Sequence, residues 1–171
     1  MTEYWDIYNK NGKKKYKVVK KGSPLLSGEY HIIVEGWIRT GKETYLIQKR
    51  SKRKKSFGGM WYCSVGGSVI SGEEPIDGLL RETKEELGID LDRDKIYLKR
   101  IIRENNGIFY IYLIDMNVNL EDVKLQEEEV EDAKIASVDE IFRMIDEGIL
   151  LNLSYYRDFF NSAEKLIEAK K

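Results

Sequence analysis

Three glutamates near the middle of the chain, Glu82, Glu85 and Glu86, have the spacing of neighbours on one face of an α-helix. Residues three and four positions apart lie side by side on a helix, so these like charges repel each other by roughly 0.2–0.5 kcal/mol per pair. A hard divalent cation such as Mg²⁺ or Mn²⁺, which prefers oxygen ligands, removes that conflict. The pattern therefore predicts a metal-binding face on a helix.

The residues around the glutamates predict the helix that carries them. A separate stripe that can pack against the protein is formed by Ile76, Leu79, Leu80, Thr83 and Leu87. Pro75 suits the first helical turn, and Gly88 suits the left-handed residue after the last turn. Glu73, Glu74 and Asp77 bring negative charge to the positive end of the helix dipole. We therefore expect one face of this helix to pack and another to bind.

This segment resembles the signature of the Nudix hydrolases, in which glycines, glutamates and an arginine stand at fixed spacing. The corresponding positions here are Gly67, Glu73, Arg81, Glu82, Thr83, Glu85, Glu86, Gly88 and Ile89. Thr83 departs from the usual aliphatic residue, but its methyl group can pack and its hydroxyl can bond to the preceding turn. The resemblance covers roughly residues 30–148. It implies an α/β (α+β) fold, a Nudix-like α/β/α sandwich with a mixed β-sheet.

The resemblance also implies roles for individual residues. The metal ligands would be Glu82, Glu85 and Glu86 with the main-chain carbonyl of Gly66 or Gly67, and Glu73, Arg81 and Gly88 would support this segment. Arg81 would pair with Glu73 or a neighbouring acid and hold the loop on the helix. The general base stays open between an acid of the signature, Glu85 or Glu86, and an acid of a later loop. The candidates in that loop are Glu127, Glu128, Glu129 and Glu131, of which we select Glu129.

Magnesium in proteins is usually held by one or two carboxylates together with waters and the phosphates of a substrate. We therefore expect a small-molecule diphosphate substrate, whose phosphoanhydride bond is attacked by metal-activated water. In the basic run 49–55, Arg50 is the best candidate for phosphate binding because a guanidinium can be bidentate. Trp61 is the candidate that would stack on a base, and Trp37, Phe57 and Tyr62 are further aromatic residues near the expected site.

Composition limits the class of protein. The 171 residues are most simply one domain, and a formal net charge of -1 with 35% charged residues argues against a dedicated nucleic-acid binder. Cys63 is the single cysteine, so an internal disulfide cannot form and a reducing compartment is the natural setting. The sequence has neither a signal-peptide core nor an apolar run of membrane-spanning length. We therefore expect a cytoplasmic protein without a membrane partner.

The remaining elements divide the chain into an N-terminal hairpin extension, 1–28, a core, 30–148, and a C-terminal helical segment, 149–171. Strands are expected at 3–8, 15–20, 30–39, 44–49, 61–65, 95–103, 108–118 and 133–136. An acidic linker spans 126–132, a helix begins at Ser137 with Glu140 in a capping-box position, and a last helix spans about 154–169. The two terminal additions could form a homodimer surface.

Two other functions remain open. The chain also resembles the isopentenyl-diphosphate isomerases, which share the Nudix fold, but Gly66 and Ser68 stand where those enzymes have a catalytic cysteine and a histidine. His31 matches one isomerase ligand position and is the only histidine, while Cys63 is three residues too early. A non-catalytic nucleotide-binding sensor is the third reading, although a degenerate member would be expected to lose carboxylates that this chain keeps.

Overall fold

The computed structural model of the protein describes residues 1–170. Its strands are β1 (Tyr4–Tyr8), β2 (Lys14–Lys20), β3 (His31–Gly41), β4 (Thr44–Arg50), β5 (Trp61–Tyr62), β6 (Val65–Ser68), β7 (Ile96–Glu104), β8 (Gly107–Asp115) and β9 (Val130–Ser137). Its helices are α1 (Pro75–Leu87), α2 (Val138–Asp146) and α3 (Tyr156–Glu168). Across residues 1–170, every helix falls short of the length and hydrophobicity that crossing a membrane requires.

The strands form two sheets. β1 and β2 make an antiparallel hairpin, and the other seven strands make one sheet with the order β5-β4-β3-β8-β7, in which β6 also pairs with β3 and β9 with β4. The long central strands β3 and β8 are parallel, whereas the other pairs in this sheet are antiparallel. The sheet is therefore mixed, as predicted.

Helices cover both faces of the larger sheet. Successive strand residues point to opposite faces, so Ile111 and Leu113 join one buried cluster while Tyr112 and Ile114 join the other. The first cluster includes residues of α2 and α3, and the second includes Leu79 of α1. This arrangement confirms the predicted α/β/α sandwich.

The predicted signature helix and its neighbours agree with the structure in local detail. Pro75 is the first residue of α1, and Gly88 follows the helix with φ of 70°. The Thr83 hydroxyl donates to the Leu79 carbonyl at 2.7 Å, the bond expected of a buried threonine in a helix. At α2, the Ser137 hydroxyl accepts the Glu140 N–H at 3.1 Å, which confirms that cap.

The prediction of one continuous strand over 61–65 is wrong, because in the structure β5 ends at Tyr62 and β6 begins at Val65. The interruption at Cys63 and Ser64 has a local cause, since the Ser64 hydroxyl accepts the Ile38 N–H at 2.7 Å and donates to the Leu46 carbonyl. A side chain thus replaces main-chain pairing at this point. The acidic linker is also shorter than predicted, because β9 already begins at Val130.

His31 packs against the N-terminal hairpin, with its ring stacked on Trp5 at 3.8 Å between centroids and an interplanar angle of 12°. Burial lowers the pKa of His31 to about 4, whereas an unfolded histidine has a pKa near 6.5. The folded state therefore binds fewer protons, so this residue stabilises the fold above pH 6.5 and loses that contribution as the pH falls toward 4.

When the pH is lowered from 7 to 5, we expect the free energy of unfolding to fall for the parent protein by about 2 kcal/mol more than for His31→Phe. Phenylalanine keeps an aromatic ring against Trp5 but cannot titrate. Because the chain has a single histidine, the difference between the two urea-unfolding series isolates its contribution. Parallel pH dependences for the two proteins would contradict the assignment.

Candidate active site

The predicted carboxylate face of α1 opens onto a cavity of about 610 Å³, whose lining includes Glu82, Glu85 and Glu86. Glu82 and Glu86 are 7% and 5% exposed, whereas the Glu85 side chain is 49% exposed. The separate apolar stripe of the helix packs as predicted, with Leu79 and Leu87 fully buried. The helix therefore holds two carboxylates in a desolvated position and a third at the edge of the cavity.

Arg81 forms hydrogen bonds to several other residues of the signature segment. Its Nε and Nη2 donate to the two oxygens of Glu73 at 2.7 and 3.1 Å, and Nη2 also donates to the Ser68 carbonyl at 3.0 Å. Its Nη1 lies 2.9 Å from a Glu82 oxygen and 3.1 Å from a Glu85 oxygen. The guanidinium thus joins the loop before α1 to the carboxylates on the helix, which is the pairing that the resemblance implied.

Glu86 lies deeper than its neighbours and has a neutral partner, since Gln48 Nε2 donates to Glu86 Oε2 at 2.9 Å. Burial and then the nearby Glu82 raise the pKa of Glu86 to about 8. Burial also raises the pKa of Glu82, although Arg81 opposes that shift. A buried carboxylate without a cationic partner favours its protonated form unless a cation binds beside it. Sequence reasoning missed Gln48, which carries no motif of its own.

The donor atoms that Glu82, Glu85 and Glu86 offer are all oxygens, and oxygens are the ligands that a hard divalent cation prefers. Glu82 lies against Gly67 so closely that a Cβ there would be 2.6 Å from Glu82 Cγ and nearer still to its carboxyl carbon. Glycine at this position thus lets the carboxylate approach the main chain. Among residues 1–170, no group of three or more Asp, Glu, His or Cys side chains is arranged so that it could hold a metal ion. In this structure Arg81 bonds to the Glu82 and Glu85 carboxylates, and Glu86 bonds to Gln48.

The acidic loop contributes one of its four candidate acids to the cavity. Glu129 is part of the lining, where it forms an ion pair with Lys54. Glu131 instead pairs with Lys49 at 3.2 Å, and Glu127 and Glu128 are exposed. This placement agrees with the selection of Glu129, whose catalytic role stays a prediction.

Of the two predicted substrate-binding residues, the structure brings one to the cavity. Arg50 is part of the lining, with its guanidinium 5.6 Å from the centroid of the Tyr62 ring. Trp61 lies outside the lining because its ring packs against the α2–α3 side of the core, with Lys134 Nζ 5.0 Å from the ring centroid. Trp37 is fully buried and lies outside the lining. Phe57 belongs to the lining, and its side chain is exposed.

Glu35 is a cavity residue that sequence reasoning missed. It is fully buried in β3, and the hydroxyls of Tyr62 and Tyr155 both donate to its carboxylate. Trp37 Nε1 in turn donates to the Tyr155 hydroxyl at 3.2 Å. Burial raises the pKa of Glu35 despite these donors. A charged residue within the otherwise apolar run 32–38 was the available signal.

His31 and Cys63, the two residues considered for isomerase chemistry, both lie outside the cavity lining. Cys63 is fully buried and its thiol donates to the Val65 carbonyl at 3.1 Å. Burial raises the pKa of this thiol, which disfavours the reactive thiolate. His31 is stacked on Trp5. Neither Cys63 nor His31 belongs to the cavity lining, whereas Gly66 and Ser68 do.

Comparison with known proteins agrees with this geometry. A Nudix hydrolase of Listeria monocytogenes, described as uncharacterized, is 32% identical over 159 residues, covering 93% of this chain and 94% of that protein. The isopentenyl-diphosphate Delta-isomerase of Escherichia coli is 27% identical over 90 residues, covering 53% of this chain and 50% of the isomerase. The crystal structure of DR0079 from Deinococcus radiodurans has the same fold, with a TM-score of 0.75 at 17% identity, and covers 94% of this chain and 99% of that one.

The family model of the NUDIX domain matches residues 29–159, which include every position of the signature described above. The matched region also contains β3 to β9, α1, α2 and the cavity-lining acids Glu35 and Glu129. The chain therefore belongs to the NUDIX domain family, that of the Nudix hydrolases.

Proposed function

We propose that the protein is a Mg²⁺- or Mn²⁺-dependent Nudix pyrophosphohydrolase that cleaves the diphosphate bond of a nucleoside diphosphate linked to another moiety. The observation that supports this most directly is the pair of buried carboxylates, Glu82 and Glu86, at the wall of a 610 Å³ cavity. Burying two such acids together is unfavourable unless a cation offsets their charge. Arg50 and Lys54 line the same cavity and would attract the phosphates.

In this proposal the divalent metal is held by Glu82, Glu85, Glu86 and the Gly67 carbonyl. Bound metal would neutralise phosphate oxygens and lower the pKa of a water molecule so that hydroxide is available near neutral pH. Arg81 keeps Glu82 and Glu85 oriented through its bonds to both. The chain supplies the base from Glu85, Glu86 or Glu129, and of these Glu129 carries a lysine partner that can move to a phosphate.

A hydrolysis screen tests the proposal. The purified protein is incubated with nucleotide sugars, ADP-ribose, dinucleoside polyphosphates, nucleoside triphosphates and nucleotide coenzymes, each with Mg²⁺, Mn²⁺ or excess EDTA. We expect release of a nucleoside monophosphate, or of another phosphate ester, from at least one compound with metal and none with EDTA. Product formation that is unchanged by EDTA, or absent from the whole panel, would contradict the proposal.

An isomerase function is the alternative, supported by a similarity to the isomerase that covers half of the chain. The same screen therefore includes isopentenyl diphosphate in deuterated water. We expect no exchange of deuterium into the alkene, because Cys63 and His31 lie outside the cavity lining. Clear deuterium exchange that is abolished by Cys63→Ala would favour the isomerase function over the proposed hydrolase. Binding of nucleotides without turnover of any compound would favour the sensor.

A further inference from the structure

The N-terminal hairpin takes part in the cavity although it lies outside the region matched by the family model. That region begins at residue 29, yet Glu3 and Lys21 belong to the same cavity lining as Glu82. Lys21 Nζ lies 2.5 Å from Glu3 Oε2, and the Lys21 N–H donates to the Glu3 carbonyl at 2.9 Å. The hairpin thus brings a charged pair to the rim of the proposed active site.

The hairpin is fixed to the segment that precedes α1. The Ser71 N–H donates to the Tyr4 carbonyl at 2.7 Å, and the buried carboxylate of Asp6 accepts the Ser71 hydroxyl at 2.9 Å and the Gly72 N–H at 3.0 Å. The Trp5–His31 stack joins the hairpin to β3. These contacts hold Lys21 at a defined position relative to the carboxylate face.

The cations of the cavity fall into two groups. Arg50 and Lys54 line the cavity together with Glu86 and Glu129, and Lys54 forms an ion pair with Glu129. Lys21 lines the same cavity as Glu82, and the hairpin that carries it is bonded to the segment before α1. A diphosphate bound between these groups would meet a cation on either side, and the cation near Glu82 comes from the hairpin.

The Glu3–Lys21 pair is suited to exchange. The two side chains are 34% and 41% exposed, and ion pairs at such sites contribute little to stability. A phosphate oxygen offers Lys21 the same kind of charge-assisted hydrogen bond as the solvated Glu3 carboxylate does. Exchanging Glu3 for a phosphate therefore costs little.

We propose that Lys21 binds a phosphate of the substrate on the Glu82 side of the cavity and that Glu3 is its partner in the free protein. This inference rests on the proposed function, since it assigns a residue to the same diphosphate site. It gives the extension outside the family domain a role in substrate binding.

The test compares Lys21→Met with Lys20→Met, which removes the neighbouring exposed lysine that lies outside the cavity lining. With a substrate found in the screen, Lys21→Met should raise KM by about tenfold or more and change kcat by less than about threefold. Lys20→Met should match the parent, Lys21→Arg should recover most of the affinity, and Glu3→Gln should lower KM because it frees the lysine.

Binding of imidodiphosphate in the presence of Mg²⁺, measured by calorimetry, tests the same contact without turnover. We expect weaker binding to Lys21→Met than to Lys20→Met at equal melting temperature. Equal KM and equal imidodiphosphate affinity for these two variants would overturn the role of Lys21 even if the parent is an active hydrolase. If the parent hydrolyses nothing, the proposed function fails, while the calorimetric comparison still decides whether Lys21 binds a diphosphate.

Discussion

Glu86→Gln should lower kcat by roughly two to four orders of magnitude while making the metal-free protein more stable at pH 8. Glutamine keeps the size of the side chain and can still accept the hydrogen bond from Gln48, but it provides no charge for a metal or a proton. The pKa of Glu86, raised to about 8, lies above its unfolded value of 4.5. The folded state therefore binds more protons, and this residue reduces stability by up to a few kcal/mol as the pH rises from 4.5 to 8.

Glu127→Gln is the matched control, because Glu127 is an exposed glutamate outside the cavity lining. Both variants are assayed with Mg²⁺ and the substrate from the screen, and both are unfolded with urea in EDTA at pH 5 and pH 8. We expect the control to follow the parent in both measurements. Turnover of Glu86→Gln at the parental rate would show that this face of α1 does not carry the chemistry.

The local structure that the sequence predicted correctly is the part that depends on short-range spacing. Pro75, Gly88 and the carboxylate face of α1 follow from helix geometry and helix ends, which involve residues within a few positions of one another. The pairing of Arg81 with Glu73 joins the helix to the segment just before it, and it came from the family resemblance. The mixed sheet between helices also followed from the order of strands and helices together with that resemblance.

The parts that the sequence could not predict depend on contacts between distant segments. The Tyr155 hydroxyl reaches Glu35 across 120 positions and Gln48 reaches Glu86 across 38, so neither pair leaves a spacing signal. Lys21 enters the cavity because contacts of Asp6 and Trp5 fix the hairpin against the core. Trp61 was selected as a stacking residue by its type, but its ring packs against the buried cluster that includes residues of α2 and α3.

Arg81→Met should lower the free energy of unfolding by about 3 kcal/mol and reduce kcat/KM by at least about tenfold. The substitution removes every bond that the guanidinium makes to Glu73, Ser68, Glu82 and Glu85. It therefore leaves the buried Glu82 carboxylate without a cationic partner and releases the loop that contains Ser68 and Glu73 from α1. A buried charge that loses its partner is far more costly than a broken surface pair.

Arg93→Met provides the comparison, because Arg93 also pairs with an acid of α1, Asp77, but both side chains are about half exposed, at 55% and 45%. Pairs of this kind contribute about 0–1 kcal/mol, so we expect little change in either stability or activity. Urea unfolding in EDTA separates the two variants, since added metal would offset part of the uncompensated charge in Arg81→Met. If the two substitutions destabilise the protein equally, the Arg81 network does not hold the carboxylates in place, and the orientation of Glu82 and Glu85 must come from helix packing alone.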